Sequence, residues 1–142
     1  MGRMDLFNNV EVVRGISPQL YENGVNPPTV TIDTLGYESC TLIMLIGAAT
    51  DNQTVTVQHS DDDAAYDNIT ADHVIADADN TAEQNRVNFL TTGTADHQVK
   101  VLGLRGTRRF IQVDGDGSGA TGANFAVCAI LGHPQNRPVD RS

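Results

Sequence analysis

Ser39-Cys40-Thr41-Leu42-Ile43-Met44-Leu45-Ile46, closed by Gly47, is the stretch that decides the fold class. Leu42 to Ile46 is the longest run of large apolar side chains in the chain. Eight residues bounded by turn formers suit a strand covered on both faces, because a helix of that length would make only about two turns. The following segment, Thr54-Val55-Thr56-Val57-Gln58-His59, alternates apolar with polar residues. Val55 and Val57 are therefore expected inside, and Thr54, Thr56 and Gln58 in water. With Asp51-Asn52-Gln53 between them, the two segments read as a hairpin.

On the N-terminal side, Thr29 to Asp33 alternates with Val30 and Ile32 on one face, and Asp33-Thr34-Leu35-Gly36 supplies a turn. Further back, Val10 to Val13 is strand-like, but Gly15, Pro18, Gly24 and Asn26-Pro27-Pro28 forbid a long helix. Residues 1–28 are accordingly expected as an N-terminal arm with a short strand. On the C-terminal side, Ser60 to Ile69 is an acidic turn in which Tyr66 and Ile69 can close over the edge of the core. Ala71, Val74, Ile75, Ala78 and Ala82 have helical spacing, yet Asp72, Asp77, Asp79 and Asn80 oppose a helix interior. That segment reads as a loop with one strand around His73 to Ala76. Strands follow at Arg86–Leu90, Gln98–Leu102, Arg108–Val113 and Asn124–Leu131, separated by the turns Thr91–Asp96, Gly103–Thr107 and Asp114–Gly122. The last strand is apolar on both faces, and 132–142 forms a C-terminal tail.

Short strands with turn signals at regular intervals and no clear helix specify an all-β domain over 29–131, an antiparallel β-sandwich or jelly-roll-like barrel with irregular N- and C-terminal arms. Its core is expected to hold Leu42, Met44 and Ile46, or their opposite-parity neighbours Ile43 and Leu45. Val55, Val57, Val99, Val101, Ile111, Phe125 and Val127 are expected beside them.

A chain of 142 residues fits one domain with an ordinary core. Its formal net charge of −9 repels nucleic acid and anionic membrane surfaces, so neither is expected as the main partner. No apolar run approaches the roughly 20 residues a membrane helix requires, and no signal-peptide apolar segment follows Met1-Gly2-Arg3. Cys40 and Cys128 both lie inside apolar strand-like runs, which suits buried free thiols better than a disulfide framework or a metal site.

The candidate sites are few. Asp114-Gly115-Asp116-Gly117-Ser118-Gly119 matches the opening of a calcium loop, which makes Asp114, Asp116 and Ser118 weak metal candidates. The twelfth position, however, is Phe125 rather than a bidentate Glu, and no helices flank the loop. Asp61-Asp62-Asp63 beside His59, and His73 with Asp77, have the composition of acid/base or metal clusters but fit a solvated acidic turn better. Neither the Gly-x-Ser-x-Gly nucleophile motif nor a phosphate loop is present. No nucleophile, base and orienter stand at recognisable spacing, so the chain is expected to be non-enzymatic and to need no cofactor. Arg105, Arg108 and Arg109 form the only basic cluster. They serve either as contacts to an acidic neighbouring subunit or as internal partners of the Asp-rich loops.

Tyr37 to Gly47, then Thr54-Val55-Thr56-Val57-Gln58-His59-Ser60-Asp61-Asp62, then Gly106-Thr107-Arg108-Arg109-Phe110-Ile111-Gln112-Val113, resemble small β-rich virion proteins of tailed bacteriophages. In these a strand ending in a Gln-x-Ser-Asp-Asp turn and a later Gly-x-x-Arg-Phe/Tyr-Ile/Val strand recur. The resemblance spans roughly residues 36 to 131, and it implies a head protein of the capsid decoration or cement type. Such a protein is made in the host cytoplasm and bound on the capsid surface to the major capsid protein. Trimers at local three-fold positions are the arrangement implied, with monomers as the other possibility. The alternatives are a neck or tail structural protein of the same virion, and a carbohydrate-binding β-sandwich, although seven aromatic residues leave few for stacking on sugars.

Overall fold

The computed structural model describes residues 6–22, 24–50, 53–75, 98–116 and 122–135, and the backbone of 88–91. Among the described residues, ten strands form two antiparallel sheets that enclose a common core. The first has the order β1 (Val10–Arg14), β10 (Ala123–Pro134), β4 (Tyr37–Ala49), β8 (Val99–Leu104), with β2 (Gln19–Tyr21) also paired to β10. The second has the order β3 (Val30–Asp33), β9 (Phe110–Asp116), β5 (Gln53–Ser60), β6 (Asp67–Asn68), with β7 (Asn88–Thr91) also paired to β5. The one helical element among the described residues is a 3-10 turn, Ala71–His73. The expected all-β, antiparallel sandwich is therefore the observed fold.

β4 is the longest strand, and its alternation sets the core. Cys40, Leu42, Met44, Ile46 and Ala49 point inward with exposures of 5 % or less, opposite Val55, Val57, Ile111 and Val113 of the second sheet. Each such Val, Leu, Ile or Met contributes roughly 1.5–3 kcal/mol of burial free energy. β4 is covered on one face only. Leu45 is 50 % exposed on the other, where the sequence led one to expect a strand buried on both sides.

β4 and β5 are not a hairpin. β4 pairs with β10 and β8, β5 pairs with β9, β6 and β7, and the chain crosses from one sheet to the other between them. Both strands alternate and both bury one face, which facing strands of a sandwich do as readily as hairpin partners. The turn residues Asp51 and Asn52 lie outside the described residues, as do Asp77, Asp79, Ser118 and the tail from 136.

Three further differences fix where surfaces lie. On β8, Leu102 and Leu104 are buried, whereas Val99 and Val101, expected in the core, are 62 % and 63 % exposed. The adjacent pair Val101-Leu102 breaks the alternation, and the two leucines offer the larger apolar area to the core. The segment expected as an N-terminal arm is woven into the first sheet. β1 runs along β10 from Val10↔Gly132 to Arg14↔Cys128, and Ile16 and Tyr21 are fully buried. Tyr21 packs its ring 4.9 Å from that of Phe125 and donates its hydroxyl to the Ser17 carbonyl. Finally, β9 continues through Asp114-Gly115-Asp116, which was expected to be loop. Gly115 faces inward, where a Cβ would stand 2.3 Å from Pro27 Cγ, so only glycine lets the strand continue under that proline.

Candidate functional site

The two outward faces of the sandwich differ in kind. On the second sheet, alternation places Thr31, Asp33, Thr54, Thr56, Gln58, Gln112, Asp114 and Asp116 outward, a hydrophilic surface that needs no cover. On the first sheet, the outward positions form contiguous rows. Val12, Ile130, Thr41 and Gly103 are in register, followed by Arg14, Cys128, Ile43 and Val101, and then by Ala126, Leu45 and Val99. Ile75 lies over Gly103, where a Cβ would be 3.4 Å from its side chain, and so extends the first row.

Five large apolar residues on this face are conspicuously open: Val12 60 %, Leu45 50 %, Ile75 59 %, Val99 62 % and Val101 63 %. Together they present an apolar patch on the order of 400 Å², which is within the range of the largest patch on an ordinary monomer and about half of what one partner gives to a specific interface. No outward-facing strand residue in those rows is a carboxylate, although the chain carries 18 acidic residues. Those rows also hold no aromatic ring, the group that stacks on a sugar. Beyond Leu45 and Ala126 it opens into a groove between Pro18, Gln19, Gly47 and Asn124. Sequence reading missed the face because it assigned Val99 and Val101 to the core and the strands beneath to two-sided burial.

The arginines are engaged inside the chain. Arg109 forms a two-pronged pair with Asp33, Nε to Oδ1 at 2.8 Å and Nη2 to Oδ2 at 2.6 Å, while its guanidinium lies 4.6 Å from the centre of the Phe110 ring. The same pairing holds the Asp33 carboxyl below its usual range, with the Arg109 hydrogen bond as the leading cause. Arg108 reaches Asp67 at 2.7 Å and Asp61 at 3.4 Å. Arg105 donates from Nε to the Asp72 carbonyl at 3.1 Å. The internal alternative is thus the arrangement seen for Arg108 and Arg109.

The acidic turn organises itself. Asp62 accepts from the Ser60 hydroxyl and from the amides of Ala64 and Ala65, and these bonds hold its carboxyl low. Asp63 takes a left-handed φ of 57° and accepts from the Tyr66 hydroxyl. His59, expected near solvent, is 4 % exposed with the ring of His73 against it. Asp114 and Asp116 stand on a strand, and Asp114 accepts from Thr29 Oγ1 at 2.9 Å. No group of three or more His, Cys, Asp or Glu is placed to hold a metal ion among the described residues. Cys40 and Cys128 are free thiols on opposite faces of the first sheet, and burial pushes the Cys40 thiol up to about 12.

No protein-family model matches the chain, and no curated protein matches it. Among solved structures, the crystal structure of PirA is similar over 93 % of this chain and 97 % of its own, at 11 % identity and a TM-score of 0.38. The Tobacco streak virus coat protein is similar over 99 % of this chain and 97 % of its own, at 10 % identity and a TM-score of 0.37. Likenesses this distant carry no argument about what the chain does. No helix of the described residues is long and apolar enough to cross a membrane.

Proposed function

We propose that the chain is a structural protein of a virion, a decoration subunit that lies on the head of a tailed bacteriophage and braces its shell. The observation that carries the reading is the asymmetry of the sandwich. One sheet turns outward three largely apolar rows that hold no carboxylate, and the other a hydrophilic surface bearing Asp33, Asp114 and Asp116. A subunit with that division is suited to lie with its apolar face on the shell of the major capsid protein and to keep its acidic face in water, where carboxylates maintain solubility. The resemblance of residues 36 to 131 to β-rich phage virion proteins supports the same class.

This reading shifts the contact surface from the arginine cluster to the sheet. Arg108 and Arg109 already spend their guanidinium groups on Asp61, Asp67 and Asp33, and recruiting them for a neighbour would cost those pairs. The apolar face has no competing partner among the described residues. At about 25 cal/mol per Å², covering 400 Å² yields on the order of 10 kcal/mol, the same size as the roughly 4–15 kcal/mol cost of immobilising the subunit, so the face holds a single copy weakly and firm retention needs further contacts.

The test is a face variant. Val101→Asp places a charge in the middle row of the apolar face, at its β8 end, on a side chain already 63 % exposed, so the domain should fold as before. Particles assembled with this variant should lose the protein on purification, while an Asp114→Asn variant on the opposite face is retained. Retention of Val101→Asp at the wild-type level would refute the assignment of the face.

A further inference from the structure

His59 and His73 come from separate elements and meet ring to ring. His59 lies near the end of β5, His73 closes the 3-10 turn, and their centroids are 4.6 Å apart at an interplanar angle of 73°. Each ring spends its Nδ1 lone pair on a main-chain N–H. The Arg108 amide donates to His59 Nδ1 at 3.3 Å, and the Thr70 amide donates to His73 Nδ1 at 3.0 Å. A nitrogen that accepts a hydrogen bond carries no proton, so this arrangement requires both imidazoles neutral with the proton on Nε2.

The charges around the pair oppose a second proton more than they invite one. Arg108 approaches His59 from the segment before β9, Asp61 from the turn after β5 and Asp67 from β6, while His73 faces it from the 3-10 turn. Burial, His73 and Arg108 together hold His59 below the usual histidine range, against the pull of Asp67 and Asp61. On the side of His73, Asp72 shares its turn, and Arg105 reaches back to the Asp72 carbonyl.

What the pair secures is a strap across the edge of the first sheet. The Arg105 amide donates to the His73 carbonyl, the Ile75 amide donates to the Gly103 carbonyl, both at 2.9 Å, and Val74 forms a bridge with Leu104. Residues 73–75 thereby occupy the outer side of β8, with Val74 4 % exposed.

We propose that the His59–His73 pair is an acid-sensitive latch that holds the Thr70–Ile75 strap on the β8 edge when both rings are neutral and releases it when His59 takes a proton. A proton on His59 Nδ1 sets an N–H against the Arg108 N–H that it formerly accepted, whereas at His73 the Thr70 hydroxyl, 3.0 Å from Nδ1, can also accept. The same proton places a cation beside Arg108 and against the His73 ring. Release uncovers an unpaired strand edge, a surface to which another strand can add. The inference does not depend on the virion reading.

The test uses the full chain. At about pH 7.5, well above the ordinary histidine pKa, long-range nitrogen NMR should show both imidazoles as the Nε2–H tautomer. Between that pH and about pH 5, the strap amide of Ile75 and the Arg105 amide should lose protection from hydrogen exchange, corrected for intrinsic rates. A loss larger than that of the sheet interior is expected, since His59 binds a proton more weakly in the closed form than in the open one and acid therefore drives opening. The Met44 amide in the centre of the sheet should keep its protection. A His59→Asn, His73→Asn double variant, whose amide oxygens can accept at the Nδ1 positions without titrating, should keep the strap closed at both pH values. An Nδ1–H tautomer on either ring near neutrality, pH-independent protection in the wild type, or equal acid opening in a folded double variant would each overturn the proposal. The wild-type tautomers and exchange decide it even if the double variant fails to fold.

Discussion

Gly115→Ala separates two descriptions of the Asp-Gly-Asp segment by the sign of its effect. In a solvated acidic loop, exchanging glycine for alanine would stabilise the chain by about 0.4–1 kcal/mol, because the unfolded chain loses freedom. In the structure Gly115 is an inward position of β9. The added methyl would stand 2.3 Å from Pro27 Cγ, 3.0 Å from Pro27 Cδ and 3.4 Å from Ile16 Cδ1. Two of those distances cannot be met without moving a rigid ring that is itself buried against the sheet. Overpacking of this kind costs about 1–3 kcal/mol, which for a domain of this size lowers the melting temperature by about 3–10 °C. Thermal unfolding followed by circular dichroism measures it. The contact is specific, so Pro27→Ala should recover part of the loss in the double variant, a coupling of at least about 0.5 kcal/mol. A melting temperature unchanged or raised in Gly115→Ala would refute the placement of β9 under Pro27.

Two other outcomes are expected. In the native protein a thiol reagent should modify Cys128, half-buried on the apolar face, and leave Cys40 untouched until unfolding, because Cys40 is 5 % exposed and its thiol is pushed up to about 12; two fast thiols would contradict the inward placement of Cys40. Asp33→Asn should cost no more than about 1 kcal/mol at neutral pH, since both partners of the Arg109 pair are 43 % exposed. The native carboxyl titrates below its unfolded value, so the pair's contribution is present above about pH 4 and lost as the pH falls through the native pKa. The wild type and the variant should therefore converge in urea titrations in strong acid, and a difference that persisted there would show that the pair acts by something other than charge.

The fold class was legible in the sequence because alternation reports burial directly. The parity of Val55 and Val57 follows from it, and both are buried, whereas Leu42 to Ile46 is apolar at both parities and only the packing selects Leu42, Met44 and Ile46. Partnership was not legible. Alternation shows that a strand has one covered face but not which sheet it joins, so β4 and β5 looked like a hairpin while lying in facing sheets. At Val99-Lys100-Val101-Leu102-Gly103-Leu104 both parities offer apolar residues. The choice falls to the leucines only once β4 stands alongside, and the exposed face depends on that choice. The N-terminal strand was visible, but its pairing with β10 joins residues more than a hundred positions apart, which no local pattern encodes. The histidine pair lies close in sequence yet was equally hidden, since nothing in the spacing of His59 and His73 indicates that the 3-10 turn folds back onto the end of β5. The arginine cluster was visible as charge, yet its partners Asp33, Asp61 and Asp67 emerge only from the packing.

The central claim is that the chain decorates a phage head through the apolar face of its first sheet, and cryo-electron microscopy of the particle that carries it tests this most directly. Density for the sandwich is expected at repeated positions over the outer shell, with β1, β10, β4 and β8 against the major capsid protein and Asp114 and Asp116 turned to solvent. The grouping of copies at local three-fold positions would read out the trimers that the resemblance implies. Density confined to a single vertex would place the chain in the neck or tail instead, and a particle that lacks the protein, or holds it by the acidic sheet, would contradict the account.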